Sequence, residues 1–397
     1  MRCCLYACIL IAVSLASVAE AQSRPPWIMK ALSIPPKFTA DPSHDADGVH
    51  AIFYDGVPWK GKPTRVFAYY ALPKLPAGQR APAMVLVHGG GGSAFIPWVK
   101  LWRDRGYAAI AMDTCGCISS GGYANHPRHD AGGPPGWGGF DQIDEPITDQ
   151  WTFHAVADVI LAHSLIRSMP EVDPKRVGLT GISWGGYLTC IVAGVDNRFK
   201  FAAPVYGCGF LGEDSVWVPT FHGMGTEKSK KWLELWDPSV YLSDAKMPML
   251  WVDGTNDFAY PPDSLQKSYR LPNSPRTICM RVRMPHGHGG PGENPEEIHA
   301  TANSIIGNGL PLAVITKAGT DGGKAFVEYR SKTPIVHAEF NYTLDTGEWQ
   351  KRNWLTVDAF LVGHVRASAA IPAGVKAWYI NLIDGRGLVV SSEHMEP

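Results

Sequence analysis

The segment Gly181-Ile182-Ser183-Trp184-Gly185 is the only Gly-x-Ser-x-Gly of the chain. It follows the apolar run Arg176–Thr180 and precedes a run of helical period, the strand–turn–helix setting in which such a serine sits on a strained turn at the carboxyl edge of a sheet. Glycines two residues to either side allow the strand and helix backbones to approach closely. The hydroxyl would then lie near the positive end of the following helix. A serine hydroxyl is a poor nucleophile until a base takes its proton, and the base needs a carboxylate to orient it. An acid and then a histidine must therefore follow along the chain.

The acid is expected after the apolar run Met247–Val252, in Asp253-Gly254-Thr255-Asn256-Asp257. Asp257 stands on the loop beyond that run, where a carboxylate can reach an imidazole. Asp253 stands at its end and is expected to brace the turn. The base is expected after Thr277–Arg283, in Pro285-His286-Gly287-His288-Gly289-Gly290. His288, on the more flexible side and followed by glycine, is the expected base. His286, closer to the strand, is the alternative base or a pocket-lining residue.

The negative oxygen of a tetrahedral intermediate needs fixed N–H donors. The apolar Val85–Val87 runs into His88-Gly89-Gly90-Gly91-Gly92, and the expected donors are the backbone N–H of Trp184 and of Gly90 or Gly91. His88 is expected to tie this loop down through its ring nitrogens. A phosphate loop is excluded, because no Gly-Lys-Ser/Thr follows and dinucleotide spacing is absent. No cofactor and no metal are expected. His126-Pro127-Arg128-His129-Asp130 resembles a ligand set only faintly, and His154, His163 and His222 read as core or surface residues.

These residues must be held by a scaffold, and the hydropathy pattern supplies one. Apolar runs at Val66–Ala71, Ala83–Val87, Ala108–Met112, Arg176–Thr180, Phe201–Val205, Met247–Val252 and Thr277–Arg283 read as strands. Helical periods fall at Trp98–Arg105, Phe153–Ser168, Trp184–Val195, Pro262–Tyr269 and Pro295–Ile306, the last with Asn294 as its expected cap. Short strands alternating with helices predict a doubly wound, mostly parallel sheet covered on both faces. Beyond about residue 310 the pattern changes to Phe326–Arg330, Ile335–Tyr342, Thr356–Val365 and Lys376–Leu382, a small antiparallel sandwich-like β-domain. Residues 113–150 form a long Gly-, Pro- and aromatic-rich insertion, and Tyr206–Trp236 reads as a second irregular stretch; both are expected to form the lid and pocket. Nine of the 14 tryptophans lie between Trp98 and Trp251, so an aromatic cleft is expected there alongside ordinary core packing.

Met1–Ala21 reads as a secretory leader with an Ala19-Glu20-Ala21 cleavage site. That divides the chain into residues 1–21, a catalytic domain over 22–307 and a β-domain over 308–397, in a secreted or periplasmic protein with no membrane contact after leader removal. Cys115, Cys117, Cys190, Cys208 and Cys279 would remain, an odd number that allows at most two bridges. With 36 basic against 37 acidic residues there is no basic excess to neutralise phosphates, which argues against a nucleic-acid partner. At 45% hydrophobic and 18% charged, the chain has ample material for packed cores.

The succession HGGGG, GISWGG, GTNDF and HGHG resembles the α/β-hydrolase superfamily, and within it the acetyl xylan esterase, dienelactone hydrolase and prolyl-oligopeptidase-like branch. The resemblance covers Thr64 to Gly307. It implies a serine hydrolase whose nucleophile, acid and base map to Ser183, Asp257 and His288. The glycine run after His88 departs from xylan deacetylases that carry a tyrosine there. The reading is an exported carboxylic-ester hydrolase acting on acyl esters of carbohydrate or similar small esters. Alternatives are a prolyl-oligopeptidase-type peptidase, disfavoured by the short segment before the first strand, a dienelactone-hydrolase-like enzyme, and a non-catalytic carbohydrate-binding protein.

Overall fold

A computed structural model of the chain describes residues 26–396, so the expected leader at Met1–Ala21 lies outside the described residues. Nine strands form one sheet: β1 (Phe38–Ala40), β2 (His50–Asp55), β3 (Arg65–Ala71), β4 (Ala81–Val87), β5 (Ala108–Met112), β6 (Val172–Ile182), β7 (Ala202–Val205), β8 (Met249–Gly254) and β9 (Arg276–Arg281). Their order is β1-β2-β3-β5-β4-β6-β7-β8-β9. The six strands from β5 to β9 run parallel, while β1, β2 and β3 form an antiparallel edge. Strands covered on both faces must be apolar throughout, and β5, β7 and β8 are buried at every position.

The two faces carry two cores. The helices Trp151–Ser168, Trp184–Val195 and Pro262–Tyr269 cover one. The helices Ile96–Asp104 and Glu296–Ile306 cover the other, whose apolar cluster continues into the C-terminal strands through Ala325, Phe340 and Trp378. The helix Trp151–Ser168 is buried continuously from Trp151 to Ile166 because the N-terminal segment lies over it. Trp27 Nε1–H donates to the Phe153 carbonyl at 2.8 Å, and Ser164 Oγ–H to that of Leu32 at 2.6 Å. No helix among the described residues is long and apolar enough to cross a membrane.

Burial of this helix makes two of its histidines acid-sensitive. His163 donates through Nδ1 to Asp196 at 2.9 Å and stacks on Phe199, while Arg198 already neutralises the same carboxylate. Burial lowers His163 to about 4, and it lowers His154 to about 4 as well. Both refuse in the fold a proton that the unfolded chain accepts below about 6.5. Stability is therefore unaffected above that pH and falls as pH drops from about 6.5 towards 4, by up to about 1.4 kcal/mol per pH unit for each group. Urea melts at pH 7.5 and 5 are expected to show the lower midpoint at pH 5; equal midpoints would contradict neutral burial of these rings.

The C-terminal region is two four-stranded antiparallel sheets. One has the order β10-β11-β15-β14 and the other β13-β12-β16-β17, with β10 at Val314–Asp321, β11 at Lys324–Arg330, β12 at Ile335–Thr343, β13 at Trp354–Asp358, β14 at Phe360–Val362, β15 at Arg366–Ala370, β16 at Ala377–Asp384 and β17 at Val389–Ser391. This is the sandwich-like arrangement expected. The single strand expected at Thr356–Val365 is instead broken at Ala359, whose N–H donates to the Ala338 carbonyl, so β13 joins one sheet and β14 the other. Glu297 ties the two regions together: it is fully buried, takes both bonds from Arg281 Nη2 at 2.7 Å and accepts the Val389 N–H at 2.8 Å.

Two further expectations are corrected. The stretch Tyr206–Trp236 is largely helical, with helices at Leu211–Asp214, Val218–Met224 and Thr226–Trp236. Trp232 and Trp236 lie on the buried side of the last, one turn apart. Asn294 does not cap the helix after it, which starts at Glu296. Its Oδ1 accepts from Arg105 Nη2 at 2.7 Å instead.

Candidate active site

Ser183 joins β6 to the helix Trp184–Val195 with φ +55° and ψ −121°, a backbone conformation that side chains other than glycine rarely adopt. Its N–H donates to the Val205 carbonyl at 3.0 Å, which holds the turn against β7. The flanking glycines are steric necessities. A Cβ at Gly181 would sit 2.3 Å from the Gly185 carbonyl oxygen, and one at Gly185 would sit 2.0 Å from that of Val87.

Three side chains converge at the carboxyl ends of β6, β8 and β9. Ser183 Oγ lies 2.9 Å from His286 Nε2, and His286 Nδ1 lies 2.6 Å from Asp257 Oδ2. The other oxygen of Asp257 accepts the N–H groups of Ala259 and Tyr260, both at 2.8 Å. A carboxylate pinned in this way fixes the proton on His286 Nδ1 and leaves the Nε2 lone pair for the serine hydroxyl. The ring of His286 stacks on Tyr206 with centroids 4.1 Å apart and touches Phe258 at 4.7 Å, so its orientation is set by packing as well as by Asp257.

The histidine facing the serine is thus His286, and the expectation of His288 as base is corrected. β9 ends at Arg281, and the short segment after it brings His286 directly over the sheet edge. The Tyr206 hydroxyl donates to the Gly287 carbonyl at 2.5 Å and holds the loop there. His288 is carried past the serine to the Gly89 N–H, which donates to its Nε2 at 3.1 Å. Loop flexibility, the reason for favouring His288, is the opposite of what a base requires, which is fixed geometry. Asp253 stays behind the site, fully buried, with Oδ1 accepting the Gly254 N–H at 2.7 Å. Burial, and then the charge of Asp257, push its carboxyl well above the usual range.

The glycine loop after β4 is anchored at its base by His88. Its Nδ1–H donates to the Gly89 carbonyl at 2.8 Å, and its Nε2 accepts the Thr114 N–H at 3.0 Å, the tethering expected from the sequence. Burial lowers the His88 pKa and keeps the ring neutral, which this pair of bonds requires. Gly92 N–H closes a turn onto the Gly89 carbonyl at 3.2 Å. A Cβ on Gly90 would meet Trp184 Cδ1 at 2.8 Å, whereas one on Gly91 would meet the Tyr123 ring at 2.4 Å. Of the two expected loop donors, Gly90 is therefore the one beside the elbow, and Gly91 is turned towards the insertion, where its carbonyl accepts the Ala124 N–H at 2.6 Å. The Trp184 N–H opens a helix and belongs to the first-turn donors that the helix itself cannot pair.

Three tryptophans fasten the insertion. Trp232 Nε1–H donates to Gly138, Trp151 Nε1–H to Thr114 and Trp236 Nε1–H to Gln150, and Phe140 stacks on Trp232 at 4.9 Å. Seven of the nine between Trp98 and Trp251 are buried, leaving Trp137 and Trp217 partly exposed beside the elbow. Trp217 packs 4.6 Å from Trp184 and 5.0 Å from Tyr260. Cavities flank the His286 and His288 side chains. One of about 450 Å³ touches His286, Phe258 and Arg283 on one wall and Gln350–Asn353 of the C-terminal region on the other. One of about 460 Å³ touches His288, Phe95 and Tyr123. All five described cysteines are free thiols, so none of the allowed bridges is formed. Cys115 Sγ–H donates to the Gly136 carbonyl, and burial pushes Cys117 up to about 11.

The C-terminal region reaches the acid loop through Asn256, the residue before Asp257. Its Nδ2 lies 3.2 Å from the Trp349 carbonyl, 3.1 Å from that of Gln350 and 2.8 Å from that of Arg352. Sequence reading assigned no role to Asn256, and only the position beside the acid marked it. Asn256→Ala is expected to lower stability by about 1–3 kcal/mol, since it removes the donor to these part-buried carbonyls. It should also lower kcat several-fold at nearly constant KM. Melting and initial-rate measurements check both; an unchanged kcat would mean that Asp257 is held without it.

Comparison with known proteins places these residues in context. The family model described as Acetyl xylan esterase (AXE1) matches residues 37–213, and that of the Prolyl oligopeptidase family matches residues 142–304. The first covers the glycine loop and elbow; the second covers the elbow, acid and base. The acetyl xylan esterase from Paenibacillus sp. R4 is 23% identical with a TM-score of 0.54, over 70% of this chain and 92% of that one. Acetyl xylan esterase 1 from Thermoanaerobacterium sp. JW/SL YS485 is 19% identical with a TM-score of 0.54, over 70% and 91%. At these identities the likeness is one of fold. The uncharacterized peptidase YuxL of Bacillus subtilis (strain 168) is 25% identical over 210 residues, and the match spans 47% of this chain but 28% of that relative's length.

Proposed function

We propose that this chain, an α/β-hydrolase of the branch that includes acetyl xylan esterases and prolyl oligopeptidases, cleaves carboxylic esters through an acyl-enzyme on Ser183. The observation that carries the reading is the continuous Ser183–His286–Asp257 chain, 2.9 and 2.6 Å, set on an elbow at φ +55°. His286 takes the proton as Ser183 Oγ attacks the carbonyl carbon, and the negative oxygen that forms is met by the Trp184 and Gly90 N–H groups. Collapse breaks the bond to the leaving alcohol, which receives the proton from His286. Water, deprotonated by the same ring, then attacks the acyl carbon and releases the acid and Ser183.

Acyl esters of carbohydrate are the favoured substrates. The match to the acetyl xylan esterase model supports this, as do the partly exposed Trp137 and Trp217 beside the elbow, whose faces suit sugar rings. A peptidase activity is the second reading, because the prolyl oligopeptidase match spans Ser183, Asp257 and His286. Purified protein is to be assayed on nitrophenyl acetate, acetylated xylan and a proline nitroanilide. Turnover of the first two with an inert anilide is expected; the reverse pattern replaces the ester reading with the peptidase one. Export is part of the proposal and rests on the leader-like Met1–Ala21. A mature N-terminus at Gln22 in protein recovered outside the cytoplasm is the expected result, and an intact Met1 there would contradict it.

A further inference from the structure

The loop that delivers His286 carries a second imidazole two residues on, and the proposed acyl transfer leaves it unassigned. His288 lies against the glycine turn after β4. Its Nε2 accepts the Gly89 N–H at 3.1 Å, and its ring lies so close that a Cβ on Gly89 would sit 2.7 Å from Nε2 and one on Gly92 would sit 3.3 Å from Cε1. The same imaginary Cβ on Gly89 would lie 2.9 Å from the Cβ of Ser183. The ring therefore spans the turn that presents Gly90, on a residue in contact with the nucleophile. Phe95 at 5.2 Å and Tyr123 at 6.2 Å pack near it.

We propose that His288 is a positioning residue, a clamp that accepts the Gly89 N–H through Nε2 and so holds the oxyanion loop in register with Ser183. The inference rests on the acyl-transfer reading of the site. A glycine run has more conformations to lose than any other sequence, so an unclamped turn would have to be ordered during the reaction. Two other tethers act at its ends, the His88 ring on Thr114 and the Ala124 N–H on the Gly91 carbonyl. The clamp acts between them, next to the expected donor. The chemistry of the ring fits. Accepting an N–H demands an unprotonated Nε2, and burial, with the neighbouring His88 and His286, lowers His288 to about 4, so the lone pair is present throughout the neutral range. Because one short loop carries both base and clamp, the general base and the oxyanion loop are set by the same backbone segment, pinned at Gly287 by Tyr206.

The test compares His288→Phe, which fills the ring volume without an acceptor, with His288→Gln, whose Oε1 can accept the Gly89 N–H. Both are assayed on nitrophenyl acetate and on a nitroanilide, with binding of a trifluoromethyl ketone whose serine adduct bears the negative oxygen. His288→Phe is expected to lower kcat about 10- to 100-fold with KM within about threefold, below the full loss of an oxyanion donor. Its affinity for the ketone should fall by a similar factor, and His288→Gln should recover to within about fivefold of wild type. Equal losses in Phe and Gln, a change in KM alone, or a His288→Phe enzyme retaining more than half of its kcat would each overturn the clamp. If the Phe protein does not fold, a folded Gln protein decides the matter, since a loss beyond about tenfold there contradicts the inference. Wild-type protein that turns over neither substrate defeats the acyl-transfer reading itself, a result distinct from any pattern among the variants.

Discussion

His286→Ala is expected to lower kcat/KM on a nitrophenyl ester by about four to six orders of magnitude, with KM little changed. The size follows from what the ring does in the geometry. Among the described residues it is the one group hydrogen-bonded to Ser183 Oγ, at 2.9 Å, and it is itself fixed by Asp257 at 2.6 Å and by the Tyr206 face at 4.1 Å. Without it the serine keeps its proton, and the leaving alcohol has no acid to protonate it. The oxyanion donors and substrate binding would still give a residual rate above that in water. His288→Ala should be far milder, since that ring touches the Gly89 N–H and not the hydroxyl. Steady-state kinetics of the two alanine variants, measured side by side, check the ordering; a dead His288→Ala beside an active His286→Ala would reverse the assignment of the base.

The second large effect is on folding. Gly185→Ala is expected to destabilise the protein by about 4 kcal/mol or more, or to prevent its accumulation as soluble protein. The added Cβ would stand 2.0 Å from the Val87 carbonyl oxygen and 2.6 Å from that of His88. Those atoms are backbone at the end of β4, a strand paired on both sides in the parallel sheet, so they cannot yield as a flexible side chain would. Gly287→Ala is the matched control. Its Cβ would meet nothing within 4 Å, and a change within about 0.5 kcal/mol is expected although it lies between the two histidines. Chemical denaturation of both variants tests the contrast, and a stable, fully folded Gly185→Ala protein would contradict the close packing of the elbow.

The difference between these glycines shows what a sequence makes legible. Strands buried on both faces read as unbroken apolar runs, so β5 is found residue for residue and β4, β7 and β8 within two residues at either end. The edge strand β1 carries no such run and is exposed at every position. The helix Thr226–Trp236 is masked by its polar residues, and only Trp232 and Trp236, four apart, carry its signal. Ser183 and Asp257 were legible because each follows directly from a strand of unmistakable type. The base was not. His286 and His288 are two residues apart on a glycine loop, and the contacts that choose between them come from Tyr206 and Gly89, distant in sequence and invisible to local spacing.

The central claim is that Ser183 is the nucleophile and that His286 activates it. Mass spectrometry of protein treated with a fluorophosphonate, followed by peptide mapping, tests it most directly. A single adduct on Ser183 is expected in the wild type, none in Ser183→Ala, and labelling slowed by about four orders of magnitude or more in His286→Ala but by no more than about 100-fold in His288→Ala. An adduct on another residue, or a His286→Ala protein labelled at the wild-type rate, would contradict the account.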